Sequence, residues 1–279
     1  QTFYVPLPEQ QMYEECFLKI NKDKAKPPIE TLISLSISTD KTIIWWDHWE
    51  DGFDDDVTKQ PSRTTQIWGD GDLSNGSAPG VDGDRLMAGD AIVIQNSIPL
   101  LNGRNREEIR YDGGDKIMAS FPIAVTRCSY PKQPGSLMSD AVEVYDTLQW
   151  GMEFEAPIGI DVGSSVDLFE YAAFFVMAGE DDTVVTLPGG AKVTLKEGEG
   201  TITHVNKSDK ITSTKPVQVD LLTGDVMSTY ETRWFSLIST DKYSKEYVSP
   251  VGDTFGKSKV LMYNPGMSTI SVRVSFRDV

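Results

Sequence analysis

The residue types most able to do chemistry are concentrated in one stretch. Asp47 to Asp90 reads DHWEDGFDDD, then WGDGDLSNGSAPGVDGD, then RLMAGD. It contains Asp47, Glu50, Asp51, Asp54, Asp55, Asp56, Asp70, Asp72, Asp82, Asp84 and Asp90, opposed by Lys59, Arg63 and Arg85. Eleven acids against three bases leave about −8, half of the chain's net −16. Trp45, Trp46, Trp49 and Trp68 are interleaved with these acids. Carboxylates desolvated beside rings must be neutralised, because an unpaired buried charge is costly. Calcium is one solution, since it takes six to eight oxygens from Asp, Asn and carbonyl groups.

Asp70-Gly71-Asp72-Leu73-Ser74-Asn75-Gly76 approximates a DxDxDG calcium loop. Asn75 and Gly76 come one residue late and no Glu follows at the required place, so it is not an EF-hand. Asp70, Asp72 and Asn75 are the first-choice calcium ligands, with Asp82, Asp84, Asp47, Glu50 and Asp51 second. The competing reading is a turn-rich acidic loop whose Asp and Asn side chains close Asx-turns, paired by Arg63 or Arg85.

Trp45 and Trp49 could present stacking faces to a sugar. Against that, Ile44 and Trp46 alternate with Trp45, which places one tryptophan face in a core. Enzyme chemistry has weaker support. The acids would allow a two-carboxylate glycosidase, yet nothing selects a pair. Asp47-His48-Trp49-Glu50 offers a base with an orienting acid, and a lone His among acids is more often structural. Val162-Gly163-Ser164-Ser165-Val166 lacks the second Gly of a nucleophile elbow. No catalytic residues are assigned, and the chain is read as a non-enzyme.

The acidic balance excludes nucleic acid as a partner, because phosphate binding requires clustered Lys and Arg. No apolar run reaches the roughly 20 residues of a membrane helix. His48 and His204 are far apart in sequence, which excludes a His-rich metal site. Cys16 and Cys128 can form one disulfide or remain two thiols. Asn75-Gly76-Ser77 and Asn206-Lys207-Ser208 are glycosylation sequons. A start at Gln1 fits a mature secreted chain after signal removal.

Around these residues the pattern is β. Residues 8–20 hold one helical stripe, Met12, Cys16, Phe17 and Ile20, after Pro8. Thr31–Ser38 and Lys41–Trp46 alternate around a Thr39-Asp40 turn. Further strands are expected at Ala91–Gln95, Lys116–Ser120, Ile123–Cys128, Ala141–Tyr145, Met152–Ala156, Tyr171–Ala178, Thr183–Leu187, Ala191–Leu195, Thr201–Val205, Val217–Leu222, Trp234–Ser239, Val260–Tyr263 and Thr269–Phe276. So many short strands divided by Gly, Pro, Asp and Asn indicate a sandwich or barrel.

The chain also repeats itself. DKIMASFPIAV (115–125) recurs as DKITSTKPVQV (209–219), and MEFEAPIG (152–159) as KEYVSPVG (245–252), at offsets of 94 and 93 residues. Asp40-Lys41-Thr42-Ile43-Ile44 resembles Asp181-Asp182-Thr183-Val184-Val185 at a larger offset. The first copy must therefore carry insertions, and residues 47–84 and 99–114 are the candidates. A third copy is expected to start near Val260.

Two groups of segments carry a family resemblance. VMAGEDDTVVTL, DKITSTKPVQVDLLTGD and SLISTDKYSKEYVSPVGDTF resemble the N-terminal domain of the IgGFc-binding protein family and its microbial relatives. YVPLPE, SISTDKTIIWWDHWEDGFDDD, TTQIWGDGDLSNG, DGGDKIMASFPIAVTR and AVEVYDT are similar to the first segments of large secreted bacterial and algal surface proteins. The resemblance implies an adhesive, matrix or cell-surface role in a multidomain protein. It supplies no catalytic residues, and immunoglobulin binding does not transfer with it.

The expectation is an all-β chain of two related tandem β-sandwich units, Ig-like or jelly-roll-like, with a short N-terminal helix. Residues 1–160 form the first unit, with the acidic insertion at 47–90. Residues 161–279 form the second, and a third repeat begins at about 260. The expected function is a secreted, calcium-stiffened structural or adhesive module of a surface, matrix or filament protein. Its partners would be other extracellular proteins or copies of itself, with glycans as an alternative. The rival functions, in falling order, are a calcium-assisted carbohydrate-binding module and a glycoside-active enzyme.

Overall fold

A computed structural model describes residues 1–12, 14–15, 19, 29–59, 61–98, 112–131, 141–162, 169–226, 232–248, 262–266 and 268–275. The fold is all-β, built from antiparallel sheets. Its strands are β1 (Thr2–Tyr4), β2 (Ile29–Ile37), β3 (Ile44–Asp47), β4 (Gln66–Trp68), β5 (Ala91–Ile98), β6 (Lys116–Ala119), β7 (Ile123–Pro131), β8 (Ala141–Val144), β9 (Gly151–Glu155), β10 (Tyr171–Ala178), β11 (Thr183–Thr186), β12 (Lys192–Leu195), β13 (Gly200–His204), β14 (Lys210–Gly224) and β15 (Thr232–Ser236). One short helix, α1 (Glu9–Met12), follows β1.

Two four-stranded sheets, β1-β6-β3-β4 and β5-β2-β7-β8, share one core. Period-two alternation selects which residues enter it. Ile33, Leu35 and Ile37 point in from β2, Ile44 and Trp46 from β3, and Ile117 and Ala119 from β6. The residues between them, Ser34, Ser36, Trp45 and Met118, are less buried.

The third sheet has seven strands in the order β12-β11-β14-β10-β13, with β9 and β15 also paired to β14. All eight residues of β10 are buried, as its unbroken apolar run YAAFFVMA requires. Ala172, Phe174, Val176 and Ala178 enter one core with Phe154, Val185, Leu195 and Val219. Tyr171, Ala173 and Phe175, on the other face, pack with Leu222 and Trp234 against Leu7, Met12 and Val142. The segment after β1, α1 and β8 therefore join the seven-stranded sheet in one apolar cluster. Tyr4, Trp150 and Met177 form a second junction. Burying one side chain such as Phe174 contributes about 1.5–3 kcal/mol.

A buried ion pair fastens α1. Glu9 Oε1 lies 2.8 Å from Arg127 Nη2 of β7, both side chains fully buried, and Glu9 also accepts from Gly113 N. Gly69 is required by its geometry. Its φ is +92°, and a Cβ there would stand 2.3 Å from Thr42 O.

Several expectations are corrected. Val260–Tyr263 and Thr269–Phe276 carry no strand among their described residues. Alternation alone does not make a strand without a neighbour to complete its hydrogen-bond ladder. Met262, Ile270, Val272 and Val274 are accordingly more than half exposed. The third repeat expected near 260 thus forms no sheet within the described residues. Strand β14 runs straight through Pro216, because the chain absorbs the proline at a register shift between Thr212 and Val217. Strands β1 and β4, three residues each, are too short for alternation to reveal. Of the helix expected over 8–20, α1 covers 9–12, and the described residues 14, 15 and 19 are helical as well. Cys16, Phe17 and Ile20 lie outside the described residues.

Candidate functional site

Trp46 enters the first core from β3, and its buried indole N–H needs an acceptor. It donates to Asp115 Oδ2 at 2.8 Å. The register makes this possible. Strand β3 pairs with β6 so that Asp47 opposes Lys116, which puts Asp115, one residue before β6, beside His48. His48 Nδ1 lies 2.7 Å from Asp115 Oδ2, a buried ion pair when the imidazole is protonated. Trp49 N donates to Asp115 Oδ1 at 3.3 Å. The 3-10 turn Trp49–Asp51 folds Glu50 back toward the pair. Ligand atoms of His48, Glu50 and Asp115 all lie within 4.8 Å of one another, and the three residues are buried.

A cleft of about 210 Å³ opens beside this cluster. Gln66 and Trp68 of β4 form one wall and Ile94 and Asn96 of β5 another. Trp46, His48, Ser77, Pro79 and Asp112 complete the lining. The Trp46 and Trp68 rings lie 5.3 Å apart and tilted by 39°. Asn96 Nδ2 donates to Asp112 Oδ2 at 2.9 Å.

Burial dominates the electrostatics. It raises the Asp115 carboxyl above its ordinary range, opposed by His48 and the Trp46 and Trp49 N–H groups. It also raises Asp112, with the charges of Asp115 and Glu9 adding to the effect. For His48, burial pulls downward, but Asp115, Glu50 and Asp112 together leave the imidazole above its ordinary value. Asp47 is raised to about 6, chiefly by burial, while bonds from Asp54 N and Thr65 Oγ1 pull the other way.

The remaining predicted residues are used differently. Asp70 accepts from Asp72 N and from Asn75 Nδ2, both at 2.8 Å. Asp72 accepts from Ser74 N and Oγ at 2.9 and 2.6 Å. These oxygens are committed to Asx-turns of their own loop. Asp84 is buried and accepts from Gly69 N and Gly71 N. Asp82 is exposed. Asp51 accepts from Ser62 and Thr64, so the acids of the insertion mostly hold its turns together.

Trp45 and Trp49 are half-buried and stand outside the cleft lining. Asn75 uses its amide nitrogen within the loop, whereas Asn206 is exposed in the turn after β13. Cys128 is half-buried on β7, and Cys16 lies outside the described residues. Among the described residues that line the cleft, Asp112 is the one carboxylate. The sequence singled out Glu50 as a ligand and His48 as a base. It gave no sign of Asp115, which is 67 residues from His48 and reaches it only through the β3–β6 register. No family model, curated protein or solved structure matches the chain.

Proposed function

We propose that the chain is a rigid tandem of two copies of one β-sandwich plan, eight strands in the first and seven in the second, serving as a structural and adhesive module of a larger secreted surface or matrix protein. The observation that carries the proposal is a match in strand pairing between the two halves. Pairings β1–β6, β2–β5, β2–β7, β3–β4, β3–β6 and β7–β8 correspond to β9–β14, β10–β13, β10–β14, β11–β12, β11–β14 and β14–β15. Strand β14 fills the places of β6 and β7 in turn.

Individual hydrogen bonds match as well. Thr42 and Thr183 each donate their hydroxyl to the carbonyl three residues back, at 2.6 Å. Lys41 and Asp182, just before them, both take a positive φ. Gly89 N bonds Ile37 O, and Gly198 N bonds Ala178 O, both at 2.9 Å. Ile43 N donates to Ser120 Oγ as Val184 N donates to Thr214 Oγ1. The offset falls from 141 residues at Thr42/Thr183 to 109 at Gly89/Gly198 and 94 at Asp115/Asp209. By this measure the first copy is longer by 32 residues between β3 and β5, and by 15 between β5 and β6.

In this reading the boundary falls between Val144 and Gly151 rather than at residue 160, because β9 pairs with β14. Rigidity is supported by the apolar cluster that joins α1 and β8 to β10, β14 and β15. The net charge of −16, the exposed sequon at Asn206 and the resemblance to surface proteins support the extracellular role. Other extracellular proteins, or copies of the chain, are the partners proposed. Antibody labelling of intact source cells tests the location. Surface or matrix labelling is expected, and signal confined to permeabilised cells would refute it.

A further inference from the structure

We infer that His48, Glu50 and Asp115 form a binding site for a first-row divalent metal ion, zinc being the best-matched one. The inference uses the strand match above but not the extracellular role. The three ligand atoms lie within 4.8 Å of one another, a spread that a small side-chain adjustment closes onto one ion. One of the donors is already oriented: Trp46 Nε1 bonds Asp115 Oδ2 and Trp49 N bonds Oδ1, as outer hydrogen bonds do for metal-ligating carboxylates. His48 is 6% exposed, and its Nδ1 stands 2.7 Å from Asp115 Oδ2, so imidazole and carboxylate already face one another.

The second half supplies an internal control. There the matching aspartate, Asp209, accepts from Asn206 N at 2.7 Å and closes its own turn. Asp115 is fully buried and faces Trp46, Trp49 and His48 instead. The difference coincides with the DHWED segment, which the second half lacks.

Charge points the same way. Glu50, Asp112 and Asp115 surround one imidazole, and Asp47 is buried next to it in sequence. Two cations lie nearby: Lys116, paired with Glu197 at 2.9 Å and also acting on Asp47, and Arg127, paired with Glu9 at 2.8 Å and also acting on Asp112. A divalent ion would offset the mutual repulsion of these buried carboxylates. The donor set selects the class: one imidazole and two carboxylates suit zinc, with manganese or iron(II) next, whereas calcium takes six to eight oxygens. Because His48 also lines the cleft, water or a small ligand there could occupy an open position on the ion.

The test uses the full chain, stripped with a chelator and titrated with Zn²⁺, Mn²⁺ and Ca²⁺ separately. One Zn²⁺ per chain is expected, and near-isosteric His48→Gln and Glu50→Gln should each weaken it at least about tenfold. Circular dichroism of both variants reports folding. Anomalous diffraction at the zinc edge, on wild-type crystals, locates the ion even if a variant fails to fold. A peak between these three side chains supports the site. Absent binding, a preference for Ca²⁺, binding unchanged in both variants, or a peak only in the Asp51–Asp56 loop overturns it. None of those results touches the strand match.

Discussion

Asp220 lies in the middle of β14, fully buried, 2.8 Å from Ser236 Oγ and 3.2 Å from Gln218 Nε2. Ser236 Oγ also lies 2.6 Å from Glu143 O. One hydroxyl proton cannot serve both acceptors. A protonated Asp220 resolves this by donating to Ser236, which then donates to Glu143. Burial accordingly lifts its pKa from 3.8 to about 7. The sign follows from proton linkage: the folded state holds this proton more tightly than the unfolded state. Stability is therefore fullest below pH 4 and is lost as pH rises toward 7. The ceiling on that loss is about 4 kcal/mol at 1.36 kcal/mol per pH unit. Asp220→Asn keeps the shape, and its amide can donate to Ser236 without ionising. Urea unfolding of both proteins at pH 4 and pH 8 measures the effect. Near-equal midpoints are expected at pH 4. At pH 8 the variant should gain up to about 1 M, for a slope of about 3 kcal/mol per molar. A variant no more stable relative to wild type at pH 8 than at pH 4 would refute a buried, protonated Asp220.

Other substitutions follow from the same geometry. Thr42→Val and Thr183→Val should each cost about 1–2 kcal/mol by calorimetry, because each deletes a buried bond to a turn carbonyl. Unequal losses would count against the matched turns. Glu9→Gln leaves the Arg127 guanidinium buried beside a neutral partner, and should cost about 3–5 kcal/mol in chemical denaturation. Gly69→Ala should cost at least about 3 kcal/mol, because positive φ and a carbonyl at 2.3 Å act together. Gly89→Ala, with φ +98° and open space around it, should cost about 1–2 kcal/mol by the same assay.

Much of the fold was legible because strand alternation is local. Tyr171–Ala178 was placed residue for residue, since eight apolar residues between turns can be little else than a central strand. In the proposed tandem plan, the repeated DKI–P–V blocks mark equivalent places in the two halves. What was not legible depends on distant partners. Thr269–Phe276 alternates as well as β2 does, yet finds no strand to join among the described residues. The acids of residues 47–90 invited calcium by number. The structure spends Asp70, Asp72 and Asp84 on turn amides, a distinction that composition does not carry. Asp115 was invisible as a site residue because its twin, Asp209, sits in the same sequence block and closes a turn. Only the register of β3 against β6 brings His48 to it.

The tandem plan is tested most directly by native-state hydrogen exchange at matched amides: Ile37 with Ala178, Gly89 with Gly198, Ile43 with Val184, and Val5 with Ala156. Each pair donates to an equivalent acceptor in the two halves. Protection at both members of every pair is expected. Protection confined to one half, with the partner amides exchanging as freely as an open loop, would contradict a shared strand plan.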